Sequence, residues 1–183
     1  MKKFFATLVI AIVAMSASAQ TYIGGGLGFS TTDQEGHDKN LTQFTLAPEV
    51  GYQLTDKWAI GLGINYTYAK EETSANAIAV APYARYTVAK AGNFSFYIDG
   101  EFQFASVKEE DSDAQNGWSL GLRPGVRFDV NKNLFLTATV GFLGYQDSND
   151  INGQKTFGFG FNGAGYDNFS GSNGLKLGIY YNF

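Results

Sequence analysis

The chain has 183 residues, with 13 lysines and arginines against 17 aspartates and glutamates, one histidine and no cysteine. A net charge of −4 argues against a nucleic-acid partner, which needs clustered positive charge. The lack of thiols excludes disulfides, thiolate metal sites and cysteine nucleophiles together.

The chain opens with MKKFFATLVIAIVAMSASAQ, which reads as a secretory signal peptide. Lys2 and Lys3 form the charged start, Phe4 to Met15 the apolar stretch, and Ala17-Ser18-Ala19 the small-residue cleavage site. The apolar stretch is too short to span a bilayer as a helix, so residues 1–19 are expected to be cleaved. Residues 20–183 are expected to form one domain. Beyond the signal no run reaches the length of a transmembrane helix. An exported chain of this kind is either soluble or a membrane β-barrel.

From Gln20 onward the sequence has a period of two, the signature of strands with unlike faces. Tyr22–Phe29 sets Ile23, Leu27 and Phe29 against Tyr22, Gly24, Gly26 and Gly28. Phe44–Leu54, Trp58–Tyr68 and Ile78–Val88 repeat the split. FSFYIDGEFQF (94–104) places Phe94, Phe96, Ile98, Phe102 and Phe104 on one face, with Asp99 and Glu101 on the other. Trp118–Val130, Leu134–Tyr145 and Leu175–Phe183 complete eight strands. Tight links at Thr55–Lys57, Ala89–Asn93 and Asn131–Asn133 alternate with long polar ones at 31–42, 69–77, 107–117 and 147–173. Short periplasmic turns and long outer loops are the pattern of an outer-membrane barrel.

The two faces decide between a soluble and a membrane barrel. The greasy face carries far more large side chains than an eight-stranded lumen holds. The other face is Gly, Ala, Ser and Thr with occasional charges, which suits a narrow interior. Trp58, Tyr66, Tyr68, Tyr52, Tyr86, Trp118 and Tyr181 collect near the ends of the greasy face, as interfacial girdles do. The sequence therefore predicts an all-β fold, an eight-stranded antiparallel up-and-down transmembrane β-barrel.

APEVGYQL (47–54), APYARYTV (81–88) and RPGVRFDV (123–130) each carry a proline six residues before their last apolar position. Proline cannot donate to a ladder. Pro48, Pro82 and Pro124 are therefore expected to share a local device, a bulge or one omitted bond. These segments, LAPEVGYQLTDKWAIGLG above all, resemble the outer-membrane β-barrel family common in the Bacteroidota, related in architecture to the OmpA transmembrane domain and OmpX. The ending LKLGIYYNF is similar to the assembly signal of such proteins, with Leu175, Leu177, Ile179, Tyr181 and the terminal Phe183. The resemblance implies export to the bacterial outer membrane and partnership with the barrel-assembly machinery and outer-membrane lipids.

With the polar face inward, Glu49, Asp99, Glu101 and Asp129 meet Arg85, Arg123, Arg127 and Lys176 in the lumen. Counted from the periplasmic ends, Asp99 and Arg85 lie diagonally, while Glu101 and Arg123 stand level. Unpaired charge is costly in a low dielectric, so mutual pairing into a plug is expected. The competing reading is a narrow, weakly selective pore.

His37, with Ser30, Asp33 and Asp38 nearby in sequence, raises a lipid-modifying enzyme as a distant third reading. No second motif converges on it, and no enzyme activity is expected. Residues 33–39 and 108–116 lack the ordered ligand spacing of a calcium loop, so neither a metal nor a cofactor is expected. In loop 147–173, Phe157, Phe159, Phe161, Tyr166 and Phe169 form a candidate surface-contact set, suited to adhesion or strand addition. A monomeric barrel with a structural or surface-interaction role, its long loops offered to an extracellular or host ligand, is the expected function.

Overall fold

The computed structural model describes residues 20–32, 41–70, 74–109, 113–148, 154–160 and 175–183. The signal segment, His37 with its acidic neighbours, and Phe161, Tyr166 and Phe169 lie outside the described residues. Ten strand segments make up the wall: β1 (Thr21–Thr32), β2 (Leu41–Gln53), β3 (Trp58–Lys70), β4 (Ser74–Ala91), β5 (Phe94–Glu109), β6 (Gln115–Asp129), β7 (Leu134–Thr139), β8 (Phe142–Ser148), β9 (Gln154–Gly160) and β10 (Lys176–Asn182). Each pairs antiparallel with its neighbours, and β1 with β10 closes an eight-stranded barrel. Among the described residues no helix is long and apolar enough to cross a membrane; this wall crosses with strands.

Alternation places the two faces. Along β6, Trp118, Leu120, Leu122 and Pro124 are exposed outward while Gly117, Ser119, Arg123 and Gly125 are buried inward. Aromatic pairs gird both rims of the outer face. Trp58 packs on Tyr86 and Phe94 on Phe128, each at 4.8 Å between centroids, near the tight turns. Trp118 sits 5.3 Å from Tyr145 at the other rim. The turns follow local chemistry. Thr55 Oγ1 accepts from the amides of Lys57 and Trp58, Asn131 Oδ1 from those of Asn133 and Leu134, and Gly92 takes the left-handed φ of 59°.

The three prolines share one device. Pro48 pairs with Gly25 on β1, but the ladder to β3 skips Ala47 and Pro48. Pro82 pairs with Leu62, and the ladder to β5 skips Ala81 and Pro82. Pro124 pairs with Ile98, and the ladder on its other side stops between Leu122 and Gly125. Each proline thus turns its missing N–H toward the next strand, where one rung is omitted.

The seventh strand departs from the single run expected over Leu134–Tyr145. It breaks at Val140 and Gly141 into β7 and β8, opposite Pro124, with Gly141 at φ 74°. The extra residue flips the phase: Phe135 and Thr137 point inward below the break, Phe142 and Gly144 above it. The eighth strand is also in two parts. β10 pairs with β7, while β9 pairs with β8 in register Phe142–Gly160 to Ser148–Gln154. This hairpin lies in the wall beside β6, so Phe157 stands opposite Tyr145 on the outward face and Phe159 opposite Leu143 in register.

Candidate functional site

Inward positions on neighbouring strands converge on a charged layer across the lumen. Arg85 on β4 and Asp99 on β5 are register partners. The guanidinium donates from Nε and Nη2 to the two carboxylate oxygens, both at 2.8 Å, a fork-to-fork geometry open to arginine alone. The expected diagonal placement is replaced by a level one: β4 runs on to Ala91, which faces Phe94, and a register shift between Thr87 and Ala89 then brings Arg85 opposite Asp99. Arg123 stands opposite Asp99, and its Nε reaches diagonally to Glu101 at 3.0 Å. The expected level pairing fails because β6 runs past the start of β5, Phe94 facing Phe128 rather than the strand end.

Glu49 on β2 completes the layer. Tyr83 donates to Oε1 at 2.5 Å and Tyr180 to Oε2 at 2.9 Å, while Arg85 Nη2 stands 3.7 Å away. Tyr22 shares a hydrogen bond of 2.7 Å with the Tyr83 hydroxyl. Below the layer Arg127 pairs with Asp129, two residues along its own strand, at 2.7 Å, and lies 3.6 Å over the Phe135 ring. Arg85 lies 4.0 Å over Tyr97, a cation–π contact. Lys176 is half-buried and lines the space above.

The inward aromatics Tyr22, Tyr83, Tyr97, Tyr180, Phe135 and Phe142 were absent from the expected network. Their places are set by glycines. Tyr22 faces Gly51 in register, Tyr83 faces Gly61, Tyr97 faces Gly125 and Tyr180 faces Gly24. A Cβ on Gly51, Gly61 or Gly125 would fall within the facing ring, and one on Gly24 would strike the Ile179 carbonyl as well as the Tyr180 ring. The lumen's small residues are cradles for tyrosines as much as room for charges. The signal in the sequence was an aromatic on the small-residue phase.

The layer divides the lumen in two. A cavity of about 230 Å³ lies above it and one of about 320 Å³ lies on the side of the tight turns. Arg85 and Tyr97 line both and form the septum between them. Phe183 closes the assembly-signal strand, its amide donating to the Thr21 carbonyl at 3.0 Å, with Leu175, Leu177, Ile179 and Tyr181 exposed outward.

A closed wall, greasy without and charged within, girdled by aromatics, defines an integral outer-membrane β-barrel. A model of the outer membrane protein beta-barrel domain family matches residues 4–183, and the chain belongs to that family. No curated protein matches its sequence. Among solved structures, Neisserial surface protein A is similar at 16% identity over 91% of this chain and 98% of that one, with a TM-score of 0.54. The N-terminal barrel domain of Pseudomonas aeruginosa OprF (16% identity, 90% and 98% coverage, TM-score 0.49) and P. aeruginosa OprG (13%, 90% and 96%, 0.49) are also similar. At these identities the likeness is one of fold. The family places the chain in the bacterial outer membrane.

Proposed function

We propose that this barrel is a monomeric structural and surface-interaction protein of the outer membrane, of the type common in the Bacteroidota, with a lumen plugged by ion pairs. The observation that carries the reading is the septum. Arg85 and Tyr97 stand between the two cavities, and Arg85 is held by both oxygens of Asp99. Among the described residues Glu49, Asp99, Glu101 and Asp129 are matched in the lumen by Arg85, Arg123, Arg127 and Lys176, so no selective field favours ions of one sign. In this reading the barrel's partners are outer-membrane lipids, the assembly machinery acting on Leu175–Phe183, and an external ligand met through the long loops. Single-channel recording of the refolded protein tests the plug: no stable unitary steps are expected, and regular currents would overturn it in favour of a narrow pore.

A further inference from the structure

The cavity below the septum, about 320 Å³, lies on the side of the tight turns. Its lining comes from the lumen face of β2, β4, β5, β6 and β10, with Gln20 and the β2–β3 turn, and includes no lipid-facing side chain. A ligand therefore reaches it from the aqueous phase and not from the bilayer.

One side chain enters this space through a break in the ladder. Thr87 pairs with Tyr97 and Ala89 with Phe96, so Val88 is an extra residue in β4. Unbroken alternation would send Lys90 outward with Tyr86 and Val88. With the bulge, Lys90 falls opposite the inward Ser95 and lines the cavity, the re-aiming of a side chain that bulges provide. Ser95 in turn pairs with Arg127 on β6. Lys90, Ser95 and Arg127 thus form one row across three strands that stand about 4.8 Å apart.

The donors of this row are not used up by the fold. Ser95 is 7% exposed, and among the described residues its hydroxyl has no hydrogen-bond partner and Lys90 has no ion pair. Arg127 gives Nε to Asp129, which leaves its two Nη atoms for a ligand. Of the other charges on the lining, Arg85 is held by Asp99, and Asp56 is exposed on its turn at the mouth. The tight turns carry Lys57, Lys90 and Lys132 against Asp56 alone, whereas the long links carry an excess of acids, so the field at this end draws anions.

Two cationic side chains flanking a hydroxyl match a phosphate group, whose oxygens accept from three donors at once and whose second charge a carboxylate lacks. The volume stands at the lower end of the roughly 300–1,000 Å³ of small-molecule sites. It leaves room for a short organic residue beside Tyr97.

We propose that this vestibule binds small soluble phosphate monoesters, the phosphate lying between Lys90 and Arg127 on the Ser95 hydroxyl. The septum is the floor of the site, but binding does not depend on whether the barrel conducts, so failure here and failure of the plug are separate results.

The test uses the chain refolded from Gln20 into lipid nanodiscs and titrated calorimetrically with glycerol phosphate at fixed salt. One saturable site is expected. Lys90→Gln should weaken it about tenfold, the loss of one charge-assisted hydrogen bond. Arg127→Gln with Asp129→Asn, which strands no carboxylate and keeps the net charge, should do the same. Lys57→Gln and Lys132→Gln, which remove charge from the rim outside the cavity, should leave the affinity unchanged. Each variant is titrated as a folded barrel, shown by its shift on heating in gel electrophoresis. Pyridoxal phosphate gives a second readout on the parent chain. It is a phosphate monoester whose aldehyde condenses with an amine, losing water, and borohydride reduces the imine to a stable adduct. Adducts should map to Lys90 over Lys57 and Lys132, a preference that pyridoxal without the phosphate should lack. An absence of saturable binding at millimolar glycerol phosphate, equal losses in the two rim variants, or even labelling of the three lysines would overturn the site. Succinate binding as tightly as the ester would overturn the phosphate assignment, and tighter binding of inorganic phosphate would overturn the ester. Displacement by phosphatidate added to the disc would overturn the soluble source.

Discussion

Replacing Arg85 with a neutral residue takes one cation from the lumen and strands Asp99, which is buried and accepts a hydrogen bond on each oxygen from that guanidinium. Breaking a buried pair on one side costs about 3–5 kcal/mol, whereas removing both charges together is often near neutral. Arg85→Met is thus expected to lower the unfolding free energy of the refolded protein, read by urea titration, by that much, and Arg85→Met with Asp99→Leu to recover most of it. Equal loss in single and double variants would show that the pair is not the stabilising unit. Glycine opposite tyrosine is the second residue-scale device. Gly61→Val drives a side chain into the Tyr83 ring, which must leave both Glu49 and Tyr22. Overpacking of this kind costs about 1–3 kcal/mol, read from the same unfolding curve, with Tyr83→Ala in the same chain relieving it. The charges were legible in the sequence because alternation fixes a residue's face. Alternation also puts Tyr22, Tyr83 and Tyr97 on that face, but their part in the network was not legible, since only the register shows a glycine across from each.

Along a strand the two faces meet different solvents, and β6 shows the consequence within two residues. Arg123 is buried inward with Glu101 as partner, while Leu122 beside it is 45% exposed on the outer face. Leu122 also lies mid-strand between the Trp118 girdle and the turn at Asn131–Asn133. An arginine facing lipid near the bilayer midplane costs about 2–4 kcal/mol. Leu122→Arg is expected to lose that much folding free energy in lipid vesicles, measured by urea titration, although the next position carries an arginine natively. A loss under 1 kcal/mol would mean that this face is not in hydrocarbon. Strand existence and facing were legible because period two persists for many residues. Breaks in that period were not. The bulge at Val140–Gly141 moves Phe142 from the outward phase of Leu136 to the inward face that Phe135 occupies, and a continuous reading of the segment has no way to place the slip. The proline in each even-numbered strand from β2 to β6 announced an omitted rung, but not which neighbour would lose it.

Closure converts eight amphipathic strands into one lumen, and the lumen's length is divided by a single layer. The chain order and the alternation of short and long links foretold the up-and-down topology, because antiparallel neighbours joined by tight turns leave little choice. The height of each charge was less legible. Strand tilt staggers the ends: the β4–β5 register brings Arg85 level with Asp99, and the β5–β6 register sets Arg123 diagonal to Glu101. That height decides whether the barrel conducts. Since Arg85 and Tyr97 are the residues common to both cavities, truncating both should join the spaces without touching the wall. Arg85→Ala with Tyr97→Ala, and Asp99→Asn to avoid a stranded carboxylate, is expected to show unitary currents in planar bilayers where the parent barrel shows none. Glu49, Glu101, Arg123 and Lys176 remain around the upper cavity, two acids against two bases, so the reversal potential in a salt gradient should stay near zero. Silent bilayers from a variant that still shifts on heating in gel electrophoresis, as a folded barrel does, would place the block elsewhere in the lumen. Gln103, Ser119 and Gln146, buried in one register row nearer the long-loop rim, would then be the next layer to open.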